Sequence, residues 1–135
     1  MIIELHIIPI LVSSIICFAL GALWFSPALF GNVWMRLLGR ESNDAAHYAK
    51  LKTFGAIALF ILIFNIGMEI IIDWMNVVGM NEGVTVGVIV AIAVSFTHAG
   101  ILLELEQKPK LLLVIYSCYY LCISVISASL MAMWR

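Results

Sequence analysis

The stretch LLLVIYSCYYLCISVISASLMAMW, Leu111 to Trp134, holds no charged residue. A bilayer core of ~30 Å needs roughly 20 apolar residues in a helix, and this stretch is long enough. Three others meet the same requirement: Ile7 to Trp24, Thr53 to Trp74 and Val84 to Leu103. Open strands are excluded, because lipid offers backbone N–H and C=O groups no partners. The composition agrees. The 135 residues are 64% hydrophobic and 11% charged, with a mean hydropathy of +1.14, whereas a soluble domain is about a quarter charged. The expected fold is all-α: one domain, residues 1–135, built as an integral membrane bundle of four transmembrane helices.

The gaps between these stretches orient the bundle. Arg36, Arg40, Lys50 and Lys52 follow the first stretch and Lys108 and Lys110 follow the third, leaving only Arg135 elsewhere. Lys and Arg in short loops mark the cytoplasmic side. We therefore expect a multi-pass inner-membrane protein with both termini outside the cytoplasm. Trp24 at the inner end of its span, and Trp74 and Trp134 at outer ends, suit the aromatic belts. Met1 to His6 lacks Lys and Arg, and no A-x-A site follows, so the first stretch is expected to stay as a span. A net charge of −1 argues against nucleic acid, which needs a basic stripe.

The first loop carries its own pattern. Ser26-Pro27 reads as an N-cap with proline at the first helical position. Leu29, Phe30, Val33, Trp34, Leu37 and Leu38 then recur at helical spacing, with Asn32, Arg36 and Arg40 opposite. This predicts a short amphipathic helix over 27–39, lying in the inner interface with its basic face toward anionic headgroups. A second short helix is expected after Ser42, through Asp44 and Tyr48. In the third loop, Pro109 stops one helix and opens the next.

The run GALWFSPALFGNVWMRLLG, Gly21 to Gly39, resembles the signature of a bacterial membrane family catalogued as domain of unknown function 1761, with its GALWYSP-x-L-F-G-x-x-W-M pattern. Glu106, Lys108, Pro109, Leu112, Ile115 and Tyr119 are similar to that family's second motif. Tyr116, Cys118 and Tyr120 depart from it, standing where Asn, Gly and His are expected. The resemblance covers nearly the whole chain and implies a four-helix membrane protein of unsettled activity.

Small residues recur at four-residue steps along the third span: Gly83, Gly87, Ala91, Ser95 and Ala99. Such stripes let helices approach closely in lipid, within a protomer or between protomers. A 15.0 kDa bundle has little interior, so we expect a homo-oligomer, with a dimer favoured. The cysteines Cys17, Cys118 and Cys122 lack C-x-x-C spacing and read as small apolar residues.

Ionisable groups at membrane depth ask for a reason, since each costs about 2.5–3.5 kcal/mol on insertion scales. Asn65, Glu69 and Asp73 share one helix face and form a polar stripe descending from the outer side. This stripe reads as a proton or cation site in a wet cavity, or as a Glu69 carboxyl kept protonated. The structural alternative is a carboxyl that reaches water or bonds Ser13, Ser127 or Ser129. His98 and Tyr116 sit at one level near the inner side, with Tyr119 and Tyr120 a turn deeper. They read as a hydrogen-bonded pair, or as an inner ligand pocket of Ser95, His98, Tyr116, Tyr119 and Tyr120. Glu4 and His6 read as solvated headgroup-level residues. The three histidines are too dispersed for a metal site, and no cofactor motif is present.

No catalytic motif is found either, so an enzyme is not expected. The favoured reading is a non-catalytic oligomeric module that binds a lipid, a hydrophobic ligand or a partner helix. The alternative is a small transporter or channel for protons, cations or lipophilic cations, using Glu69 and His98.

Overall fold

The computed structural model describes residues 5–40 and 51–135. Glu4 and the short helix expected around Asp44 and Tyr48 lie outside them. The described residues form α1 (Ile7–Trp24), α2 (Gly31–Leu37), α3 (Leu51–Trp74), α4 (Met80–Leu105) and α5 (Leu111–Met133). All but α2 are long and apolar enough to cross a membrane. The described residues make an all-α membrane bundle of four spanning helices, with the short α2 between the first two.

Helix α5 is the axis of this bundle. Ten of its residues are buried, against four of α1. Helices α1 and α3 pack on each other and on α5, and α4 packs chiefly on α5. The small-residue stripe explains the last contact. A Cβ on Gly87 would lie 2.6 Å from Cα of Val125, and one on Gly83 would lie 2.7 Å from the carbonyl of Ala128. Gly83, Gly87 and Ala91 are thus spent on close approach to α5 within the protomer, where dispersion between helices is what holds a bundle in lipid.

Above Ala91 the stripe loses its phase. Residues Ala91–Phe96 form a π-helical segment, whose wider turns absorb one extra residue. One residue is about 100° of rotation. Ser95, within the segment, is only half-buried, as is Ala99, and a buried residue recurs at Leu103. His98, seven residues past Ala91, would have shared its face in a regular helix. It is carried away to the exposed side instead.

Helix α2 starts later than its sequence pattern suggests. The Ser26 hydroxyl donates backward to the carbonyl of Leu23, at 2.6 Å, and does not cap the following residues. The Ser26 carbonyl accepts from the backbone N–H groups of Leu29 and Gly31, so 27–30 are turns and the helix begins at Gly31. Only glycine fits there, since a Cβ would meet the Phe25 carbonyl at 2.5 Å. At the opposite end of the bundle, Gly79 takes a φ of +89° and donates its N–H to the carbonyl of Ala132, tying the α3–α4 loop to α5.

Candidate functional site

Polar side chains gather in two places. The first is the end of the bundle where α1 begins and α5 ends. Glu69 projects from α3 and is fully buried. Its Oε1 lies 3.0 Å from Nδ1 of His6, 3.1 Å from Nη2 of Arg135 and 3.3 Å from the backbone N of His6. Arg135 turns its other nitrogen to Asp73, at 2.7 Å. One guanidinium thus bridges two carboxylates one helical turn apart, which satisfies charges that lipid would otherwise reject. Of the stripe, Glu69 and Asp73 are brought together with His6 and Arg135, while Asn65 bonds within its own helix. His6 is not the purely solvated residue its position suggested, because the start of α1 lays it across Glu69.

Beneath this cluster, the interface of α1, α3 and α5 holds further polar groups. Ser13, Asn65, Ser124 and Ser127 are all fully buried. Asn65 donates to the carbonyl of Ile61 within its own helix, at 2.9 Å. The Cys17 thiol lies 3.3 Å from the Ser127 hydroxyl.

The second place is the opposite end, which carries the basic loops. There a cavity of about 560 Å³ opens between α1, the loop before α2, α2 itself and the first turns of α3. Its walls are Phe18, Phe25, Trp34, Met35, Phe54 and Ile57, with Tyr119 at its deep side. The size lies within the roughly 300–1,000 Å³ of small-molecule sites, which are likewise mostly apolar with a few polar groups. Here those groups are Ser26, Asn32, Thr53 and Tyr119. A smaller cavity of about 320 Å³ adjoins it, sharing Asn32 and Met35 and adding Arg36 and Arg40.

Aromatic contacts hold the cavity walls in place. Phe25 packs against Trp34 at 5.0 Å, against Tyr119 at 5.4 Å and against Tyr116 at 6.2 Å between ring centres. The Trp34 indole N–H donates to the Tyr116 hydroxyl, at 3.0 Å, which fastens α2 to α5. Gly21 lets the Tyr119 ring approach α1, because a Cβ there would lie 2.7 Å from the Tyr119 hydroxyl and the ring would have to shift.

The expected inner pocket is therefore only partly assembled. Tyr116, Tyr119 and Tyr120 cluster, with Tyr119 and Tyr120 at 5.6 Å. His98 does not join them. Its Nδ1 lies 2.8 Å from the carbonyl of Val94 on its own helix and the residue is exposed, for the rotational reason given above. Trp34 takes the place beside Tyr116 that His98 was expected to fill. The π-helical Ser95 stays half-buried and apart from the cavity lining. Nothing in the spacing of Phe18, Phe54 or Ile57 sets them apart from other apolar residues of their spans. The signal was nearby, since Gly21, Ala22, Phe25, Ser26 and Pro27 of the GALWFSP run all line the cavity. Among the described residues no three His, Cys, Asp or Glu side chains converge as a metal site requires.

These features define a small helical membrane bundle with a charge-locked end and an aromatic-walled cavity at the other. Residues 8–132 match the family described as protein of unknown function DUF1761, and the chain belongs to that family. No curated protein and no solved structure matches the chain.

Proposed function

We propose that the protein is a non-catalytic membrane module that binds an anionic amphiphile, its acyl chain in the larger cavity and its headgroup beside Arg36. One observation carries this reading: an apolar cavity of about 560 Å³ adjoins a cleft lined by Asn32, Met35, Arg36 and Arg40. An apolar chamber beside guanidinium groups matches a ligand with one greasy and one anionic part. In this reading the basic loops face the cytoplasm of a bacterial inner membrane, both termini lie outside, and the ligand comes from the inner leaflet. The exposed side of α4, with Ile89, Ile92, Phe96 and Ile101, is where a second copy would complete a dimer.

Native mass spectrometry of protein extracted in mild detergent tests this. The expected result is a bound anionic lipid mass, reduced in Arg36→Gln and absent in Ala22→Phe, which fills the chamber. Wild-type protein free of bound lipid, or lipid retained equally by Ala22→Phe, overturns it. The same spectra read the oligomeric state, expected to be a dimer.

A further inference from the structure

The lipid-facing hydroxyls and the core hydroxyls of this bundle behave differently. Ser14, Thr85 and Thr97 each donate to a carbonyl four residues back, at 2.7, 3.0 and 2.8 Å. That is the usual remedy for a hydroxyl in a helix that faces lipid. Ser13 and Ser124 have the same remedy available and do not use it. Their Oγ atoms, with Oδ1 of Asn65 and Oε2 of Glu69, are enclosed and unpartnered. All four side chains are completely buried.

Oxygen atoms left this way in an apolar interior are costly, and bound water is what ordinarily satisfies them. The groups also lie in sequence along the bundle. Asn65 and Glu69 are neighbours on one face of α3. Asn65 also approaches the Cys17 thiol, which meets Ser127 at 3.3 Å. Cys17 packs with Tyr119, Ile61 and Ile123, and Tyr119 lines the cavity. At the other end Glu69 meets His6, whose side chain is 38% exposed and so touches the outside.

We propose that these enclosed groups hold a file of water molecules that conducts protons between the Glu69 cluster and the cavity beside Tyr119. A proton arriving from His6 is taken up on the Glu69 carboxylate. It binds Oε1, which faces His6. The carboxyl then turns to bring that O–H to the enclosed side, and the first water gains an O–H bond as the carboxyl O–H breaks. Each water passes one proton on and receives one, so no other reactant is consumed. His98 takes no part.

The test is proton flux into vesicles of zwitterionic lipid containing a trapped pH-sensitive dye, driven by a potassium diffusion potential. Zwitterionic lipid makes the result independent of anionic amphiphile binding. Wild-type protein is expected to acidify the interior well above protein-free vesicles. Glu69→Gln is expected to fall to the protein-free rate. So is Asn65→Leu, which closes the file with an apolar side chain of similar size and leaves the charged cluster intact. His98→Gln is expected to conduct like the wild type. Wild-type flux equal to protein-free vesicles overturns the proposal, as does wild-type flux in Asn65→Leu.

Discussion

Where α1 begins and α5 ends, His6, Glu69, Asp73 and Arg135 close on one another; at the other end, Phe25, Trp34 and Tyr119 stand around an open cavity. Both ends place polar groups beside lipid, and the difference lies in where those groups find partners. In the first, buried charge is matched by charge from the chain itself. In the second, aromatic rings and a few hydroxyls leave room for something else, with Arg36 and Arg40 at its side. The locked end reads as the part that holds the helices together, the open end as the part that meets a ligand.

Removing the lock is expected to have the largest effect. Arg135→Ala leaves Glu69 enclosed without its guanidinium, and breaking a buried pair this way costs about 3–5 kcal/mol. Thermal unfolding in detergent reads it as a large fall in melting temperature. An unchanged melt breaks the contrast between the two ends. Next comes the α4–α5 seam, which belongs to neither end. Gly87→Ala forces a Cβ against the Val125 backbone, and overpacking of this kind costs about 1–3 kcal/mol. A smaller loss is expected at the open end. Tyr116→Phe removes the acceptor of the Trp34 indole N–H, worth about 1 kcal/mol, and should shift Trp34 emission as α2 loosens. The smallest effect is expected at His98, exposed on α4, where His98→Ala should change stability by no more than about 0.5 kcal/mol. A large loss there would mean that α4 is turned toward the bundle.

The spanning helices were legible because lipid imposes a length and an apolar composition on every segment that crosses it. Helix α1 occupies Ile7–Trp24, the very stretch its hydropathy marks. The Asn65–Glu69–Asp73 face was legible for a related reason, since helical periodicity in α3 is undisturbed. In α4 the same periodicity misleads beyond Ala91, because nothing in the residues Ala91–Phe96 announces a π-helical turn. Ser95 and His98 therefore lie apart from the tyrosines with which regular spacing groups them. Contacts between distant residues were also hidden. His6 and Glu69 are 63 positions apart, and Trp34 and Tyr116 are 82 apart. Each pair depends on how helices settle against α5. The cavity is half legible: the GALWFSP run supplies one wall, but its volume arises where α1, the loop before α2, α2, α3 and Tyr119 of α5 come together.

In the proposed function the open end takes an anionic amphiphile. Quenching of Trp34 tests it most directly, in a variant whose other tryptophans, Trp24, Trp74 and Trp134, are replaced by Phe. Anionic lipid carrying bromine on its acyl chain is titrated into the protein in micelles. Saturable quenching is expected, weaker with the zwitterionic counterpart and lost on adding Ala22→Phe. Quenching that rises without saturation, equally for both headgroups and with the chamber filled, would contradict the account.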